Sequence, residues 1–94
     1  MKKLKLLLLL LSVTIFLQAQ EKYTISGYVN DISGEELIGA NVIAPEINKG
    51  TVTNVYGFYS LTLPEGKYTI TCSYVGYAPI EKTVLLNKDI SHNF

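Results

Sequence analysis

The chain has 94 residues, of which 48% are apolar, and it carries eight lysines, eight acidic residues and no arginine. This length allows one small domain. The lack of a basic cluster in the part after residue 19 argues against nucleic-acid binding, and the single cysteine excludes a disulfide within the chain.

Residues 1–19 have the pattern of a cleavable export signal. Three lysines stand among the first five residues, an apolar run follows from Leu6 to Leu17, and Ala19 offers a small residue for cleavage. The run is shorter than the ~20 residues that a membrane-spanning helix needs. We therefore predict a helical signal peptide at 1–19 and an exported domain at 20–94, in which five lysines and eight acidic residues leave a net charge of −3.

The first two strands of the exported part are predicted at Tyr23–Asn30 and Gly39–Ala44. Gly27 lies inside the first strand and has no side chain to pack, which indicates a bulge or a close neighbour. The polar segment 31–36 is typical of a loop. Pro45 ends the second strand because it cannot donate a hydrogen bond to the ladder.

After a connection at 46–50, the segment from Gly50 to Tyr77 holds three predicted strands. Apolar and polar residues alternate from Tyr59 to Leu63 and again from Tyr68 to Tyr74, which is typical of a β-hairpin with one buried face. Pro64–Gly66 supplies the turn of this hairpin. An earlier turn is predicted at 53–57, where asparagine can cap backbone groups and glycine tolerates a positive φ.

Two further strands are predicted at Ile80–Leu86 and Ile90–Phe94. The inner face of the first would hold Ile80, Val84 and Leu86 together with Lys82, whose charged group suits the edge of a sheet. The alternation in the second strand continues to the last residue without a turn, so we expect the 94 residues to be a truncated or partial product of a longer exported protein.

Seven short strands at intervals of roughly ten residues predict an all-β protein, a small antiparallel seven-stranded β-sandwich. No convincing helix is predicted in the exported part. The predicted core consists of nine inward-facing residues: Ile25, Val29, Val42, Tyr59, Leu61, Tyr68, Ile70, Cys72 and Val84.

The order of glycine, tyrosine and turn residues resembles the carboxypeptidase regulatory-like domain, whose pattern is roughly G-T-x-T-(D/N)-x-x-G-x-(F/Y)-x-L, then G-x-Y and a closing G-Y. The pattern is met at Gly50, Thr51, Thr53, Asn54, Gly57, Tyr59, Leu61, Gly66, Tyr68, Gly76 and Tyr77, and an upstream G-x-x-L-x-G-A-x-V is met at Gly34, Leu37, Gly39, Ala40 and Val42. The resemblance covers about Tyr23 to Phe94 and implies a transthyretin-like (prealbumin-like) Greek-key sandwich. Family members more often carry aspartate at the position of Asn54.

Residues that could perform chemistry are few. His92 is the one histidine, so it can neither complete a zinc site nor form a triad with Cys72, which is expected in the core. The adjacent Glu35 and Glu36 are expected to be solvated, and together with Asp31 they supply too few oxygens for calcium. We therefore predict that the chain is not an enzyme and has no catalytic, cofactor-binding or metal site.

Seven tyrosines are many for this length. Tyr28, Tyr56 and Tyr77 need not be buried, and exposed tyrosines could stack on sugars or anchor a protein interface. Packing between strands and within turns is the simpler interpretation, and the sequence leaves both open.

The resemblance and the export signal together imply a module at the N-terminus of a SusC-like TonB-dependent receptor. Such a module lies on the periplasmic side of the outer membrane, ahead of a plug and a barrel that import glycans or metal chelates. The alternatives are a free-standing exported module that binds carbohydrate or protein, and an accessory domain of a secreted metallocarboxypeptidase. The expected partners are the plug and barrel of the same receptor, another periplasmic or outer-membrane protein, or a glycan; nucleic acid is not expected.

Overall fold

Strands form where apolar and polar residues alternate. The computed structural model describes residues 21–94, so the predicted signal peptide at 1–19 lies outside the described residues. The strands are β1 (Lys22–Tyr28), β2 (Asn41–Ala44), β3 (Lys49–Val52), β4 (Phe58–Pro64), β5 (Gly66–Ser73), β6 (Ile80–Leu86) and β7 (Ile90–Ser91). In β4, Tyr59, Leu61 and Leu63 are buried while Ser60 and Thr62 between them are exposed, as the period of two predicts.

The strands form two sheets with an apolar core between them. One sheet has the strand order β4–β1–β7, and the other has the order β3–β2–β5–β6. The β1–β4 and β5–β6 ladders are the longest, with seven residue pairs each. The predicted all-β architecture of seven strands in two sheets is confirmed. The predicted β-hairpin of the two runs joined at 64–66 is wrong, because β4 and β5 lie in different sheets and the turn between them passes the chain from one sheet to the other.

The prediction of a wholly antiparallel sandwich is wrong at one pair of strands. β7 runs parallel to β1, with Ile25 opposite Ile90 and Ser26 opposite Ser91. The short turn at 87–89 passes the chain from the edge of one sheet to the other sheet. Because the chain changes sheets there, β7 can return beside β1 in the same direction without a long crossover.

The connection predicted at 46–50 is partly wrong. A single-turn 3₁₀ helix occupies Pro45–Ile47, and β3 already begins at Lys49. Asn48 has a φ of +52°, a left-handed conformation that reverses the chain between the two elements. Residues 21–94 contain no helix with the length and apolar character of a membrane span.

The predicted last strand at Ile90–Phe94 is also too long, because the regular ladder stops at Ser91. His92 and Phe94 still donate backbone hydrogen bonds to β1, each at 2.9 Å. The ladder is interrupted because the side-chain Oδ1 of Asn93 accepts the N–H of Tyr28 at 2.9 Å. Gly27 lies against this segment, and a Cβ there would overlap the carbonyl of His92, so the close neighbour predicted for Gly27 is confirmed.

All nine residues of the predicted core are buried. Four further apolar residues are buried with them: Ala40, Ala44, Leu63 and Leu86. Tyr59 is the largest fully buried side chain, and burial raises its pKa to about 12. Its hydroxyl donates a hydrogen bond to the carbonyl of His92 at 2.5 Å. This hydrogen bond ties the segment after β7 to the core.

The predicted inner face of β6 is right: Val84 and Leu86 are buried there, and Ile80 lies on the same face of the strand but is 54% exposed. β6 is an edge strand, and Lys82 is exposed on it, as predicted. The opposite sheet ends at the short β7, so the first half of β6 has no strand over its inner face. This gap opens one end of the sandwich.

Candidate functional site, an apolar cleft at one end of the sandwich

An apolar cleft of about 190 Å³ lies at the end of the sandwich where β1 and β5 finish and β6 begins. Its walls include six apolar or aromatic side chains: Val29, Leu37, Tyr74, Tyr77, Ile80 and Phe94. Because Ile80 is in β6 and Phe94 follows β7 of the opposite sheet, the cleft occupies the gap beside the uncovered half of β6.

Two loops place exposed aliphatic side chains at this end. Ile32, in the loop between β1 and β2, borders the cleft and is fully exposed (109%). Val75, in the loop between β5 and β6, is 92% exposed. That loop is a turn closed by a hydrogen bond from the N–H of Tyr77 to the carbonyl of Tyr74, at 3.1 Å. The sequence analysis did not single out either aliphatic residue, because an isolated apolar residue in a loop carries no periodic signal.

The loop at 31–36 gives the rim of the cleft a negative charge. Asp31 lines the cleft, and its Oδ1 accepts hydrogen bonds from the Ser33 hydroxyl at 2.6 Å and from the backbone N–H groups of Ser33 and Glu35 at 2.9 Å. These hydrogen bonds, led by that from the Ser33 side chain, hold the pKa of Asp31 below its usual value. The side chains of Glu35 and Glu36 in the same loop are exposed, as predicted.

The turn at 53–57 closes the same end of the sandwich. Asn54 Oδ1 accepts the N–H groups of Tyr56 at 2.9 Å and Phe58 at 3.1 Å, and its carbonyl accepts the N–H of Gly57 at 2.9 Å. Gly57 has a φ of +72°, as the predicted turn requires, and its carbonyl accepts the N–H of Val29 at 2.8 Å. The turn therefore positions one wall of the cleft.

Thr53 has a structural role that the sequence analysis missed. It is 3% exposed, the one buried polar residue within 21–94. Its hydroxyl donates to the carbonyl of Leu37 at 2.5 Å and accepts the N–H of Ala40 at 2.8 Å. These bonds fasten the loop before β2 to the turn before β4, and a threonine beside the turn asparagine is the sequence signal that could have indicated them.

Thr53, Asn54 and Gly57, which belong to the sequence motif, thus form the turn and the loop contacts beside the cleft.

The family profile of the CarboxypepD_reg-like domain matches residues 25–94. The chain belongs to this family. The predicted resemblance is confirmed, and the match covers all seven strands except the first residues of β1.

Relatives of the CarboxypepD_reg-like domain include two receptors. TonB-dependent receptor SusC of Bacteroides thetaiotaomicron is 35% identical over 86 residues, and TonB-dependent receptor P39 of Formosa agariphila is 37% identical over 86 residues. These alignments cover 88% and 90% of this chain and 8% of each receptor. A third relative is Structural protein 27 of a virus isolated in Victoria, Australia, which is 36% identical over 66 residues. This alignment covers 70% of this chain and 13% of the viral protein.

A solved structure supports the fold of the domain. The Bacillus anthracis TIE protein matches with a TM-score of 0.52 at 22% identity, over 78% of this chain and 16% of its own. At this identity the match shows a shared β-sandwich and nothing about function.

Cys72 and His92, the two residues considered for nucleophilic or zinc chemistry, are both held by packing contacts. Cys72 is buried in the core, as predicted, and burial raises the pKa of its thiol. His92 packs edge-on against Phe94, with ring centroids 4.7 Å apart, and burial followed by the charge of Lys82 lowers the pKa of its imidazole. Among residues 21–94, no three His, Cys, Asp or Glu side chains are grouped to hold a metal ion.

The three tyrosines that the sequence marked as free of the core are exposed, at different places on the domain. Tyr77 lines the cleft and packs against Tyr74, with ring centroids 5.8 Å apart. Tyr28 makes an edge contact with Phe58 on the neighbouring strand, with centroids 5.3 Å apart. Tyr56 lies in the turn before β4. The structure therefore assigns Tyr77 alone of the three to the cleft wall.

Proposed function

We propose that this domain is a non-catalytic module at the N-terminus of a TonB-dependent receptor. In this proposal it lies on the periplasmic side of the outer membrane, ahead of the plug and barrel of the same receptor, and it serves the uptake of a glycan or a metal chelate. The observation that carries the proposal is the match of two receptors to 88% and 90% of the chain. Residues 21–94 make up 74 of the 94 residues, so both matches also include part of the predicted signal peptide.

The structure supports a binding or spacing role over catalysis. The cleft is lined mainly by aliphatic and aromatic groups, and the thiol of Cys72 is buried with a raised pKa, which keeps it in its unreactive protonated form. His92 is held by packing against Phe94 and has no acid or nucleophile among its hydrogen-bond partners within residues 21–94. A reaction would need a converging acid, base or nucleophile.

A free-standing exported module that binds protein or carbohydrate is the second candidate. The viral relative favours it, because a structural protein with 36% identity shows that the domain also occurs outside proteins named as receptors. The exposed apolar cleft fits either setting. No observation on residues 21–94 favours an accessory domain of a metallocarboxypeptidase.

Deleting codons 21–94 from the native gene, with the signal peptide left in place, tests the proposal. We expect the remaining receptor to reach the outer membrane and the cells to grow more slowly on one member of a panel of glycans and ferric chelates. Growth on glucose should be unchanged, and a plasmid copy of the intact gene should restore growth on the affected nutrient. Unchanged growth on every member of the panel, or a gene that produces no receptor-sized polypeptide, would contradict the proposal.

A further inference from the structure

We propose that the cleft holds one large apolar side chain of a partner peptide, and that basic residues flank that side chain in the peptide. The volume of the cleft, its lining and the charge of its rim indicate the chemistry of this partner, whether or not the domain belongs to a receptor.

The volume of the cleft suits one side chain. At about 190 Å³ it is slightly larger than an apolar cavity of ~150 Å³ that is known to take up benzene. A phenylalanine or leucine side chain would therefore fill it, whereas a helix would not enter. The lining agrees, because Leu37, Ile80 and Phe94 offer apolar contacts from three sides.

The surroundings of the cleft extend the apolar contact. Ile32 and Val75 project from the loops on either side and are exposed in the free domain. Tyr77, on the wall, is 51% exposed and offers both a ring face and a hydroxyl. Exposed aliphatic and aromatic groups around a pocket are typical of a protein-binding surface.

The negative charge at the rim of the cleft favours apolar peptides that also carry positive charge. Asp31 lines the cleft, and the hydrogen bonds that it accepts stabilise its carboxylate; the exposed Glu35 and Glu36 add negative charge from the same loop. Complementary charge on the partner is therefore positive, so we infer lysine or arginine next to the inserted side chain. The same three carboxylates disfavour an anionic lipid surface, which attracts basic and not acidic segments.

A titration of the isotopically labelled protein, expressed from the full 94-residue chain, tests the inference by NMR. The probe is the N-acetylated peptide amide Gly-Lys-Phe-Lys-Gly, and the matched probes replace Phe by Ala or both Lys by Glu. We expect the first peptide to shift the amide signals of Leu37, Tyr77 and Ile80. The alanine peptide should bind about tenfold more weakly because it buries less apolar surface. The glutamate peptide should also lose about tenfold, since each exposed charge pair contributes roughly a threefold effect.

Two pairs of variants locate the binding. Ile80→Glu should abolish the shifts, whereas Leu85→Glu, at an exposed position of the same strand outside the cleft, should leave them unchanged. Glu35→Lys should weaken binding of the Lys-Phe-Lys peptide about threefold or more, while Glu65→Lys, in the turn between β4 and β5, should not. If Ile80→Glu gives no dispersed spectrum, the Glu35→Lys pair decides, because the Glu35 side chain is exposed and its loss leaves the core intact.

Several results would overturn the inference. These are an absence of shifts at the cleft with several millimolar peptide, equal binding of the alanine peptide, or equal binding of the glutamate peptide. Binding to phosphatidylethanolamine–phosphatidylglycerol vesicles without binding to the peptide would show instead that this end of the sandwich is a membrane contact.

Discussion

Asn54 and Gly57 stabilise the same turn in different ways. Asn54 accepts hydrogen bonds from its backbone, and Gly57 adopts the positive φ that the turn requires. Gly57 has a φ of +72°, and a Cβ at this position would meet the carbonyl oxygen of Val29 at 2.9 Å. We expect Gly57→Val to lower the free energy of unfolding by more than ~1 kcal/mol, because a β-branched residue is strained at positive φ and would also press on the end of β1. Urea denaturation monitored by circular dichroism measures this change.

The substitutions of Asn54 provide the matched control. Asn54→Asp keeps an oxygen that can accept the N–H groups of Tyr56 and Phe58, so we expect a change within about 0.5 kcal/mol. Asn54→Ala removes both hydrogen bonds and should cost about 1–2 kcal/mol. An unchanged denaturation midpoint for Gly57→Val, or equal losses for the Asp and Ala variants, would show that the turn does not act in this way.

His92 should make the stability of the domain depend on pH. Burial, followed by the charge of Lys82, lowers the pKa of the folded imidazole below its ordinary value of 6.5. The unfolded state therefore binds more protons between the two pKa values, and stability is lost as the pH falls from 6.5 through the lower, folded value. We expect the denaturation midpoint to fall between pH 7.5 and about pH 5.5, and to fall less in His92→Gln.

The difference in pH dependence between the unsubstituted domain and His92→Gln gives the contribution of the histidine, because both proteins have the same carboxylates. A midpoint that rises on acidification, or an equal fall in His92→Gln, would exclude this role for His92.

Side chains complete the ladders of this sandwich where a neighbouring strand is too short. Asp89 Oδ1 accepts the N–H of Thr24 at 2.8 Å, just before β7 begins, and Asn93 Oδ1 accepts the N–H of Tyr28 after it ends. On the other sheet, Glu46 Oε2 accepts the N–H of Thr69 at 2.6 Å, beyond the end of β2. These side-chain oxygens are acceptors for backbone N–H groups that the short strands leave without a ladder partner.

Replacing Asp89 tests whether its hydrogen bond to the N–H of Thr24 stabilises the domain. We expect Asp89→Ala to destabilise the domain by about 0.5–1.5 kcal/mol, the net contribution of one hydrogen bond, and to speed hydrogen exchange at the amide of Thr24. Asp89→Asn retains an acceptor oxygen and should preserve most of the protection. Hydrogen exchange followed by NMR measures both variants, and unchanged exchange at Thr24 in Asp89→Ala would contradict the assignment.

The elements that the sequence predicts well are those whose pattern is local. The alternation from Tyr59 to Leu63 and from Tyr68 to Tyr74 locates β4 and β5, although β5 ends one residue earlier, at Ser73. The predicted bounds of β6 agree with the structure. The parallel pairing of β7 and the early end of its ladder could not be predicted, because they depend on where the turn at 87–89 delivers the chain in three dimensions. The 3₁₀ helix at Pro45–Ile47 is too short to show a period.

The two ends of the sandwich differ in the polarity of their loops. One end combines the cleft with the exposed Ile32 and Val75. The turns at the other end, 64–66 and 87–89, are polar and include Glu65 and Asp89. The sequence indicated Tyr77 as a surface candidate, but it could not predict the cleft, because the cleft results from the unequal lengths and strand numbers of the two sheets.

Under the proposed function, this CarboxypepD_reg-like domain is part of a TonB-dependent receptor in the outer membrane. The most direct measurement is an immunoblot of fractionated cells of the source organism with an antibody raised against residues 21–94. We expect one band in the outer-membrane fraction, many times larger than the 94-residue chain, because the matched region makes up 8% of each receptor that it resembles. A band no larger than this chain, found in the soluble periplasmic fraction, would contradict the claim and favour a free-standing binding module.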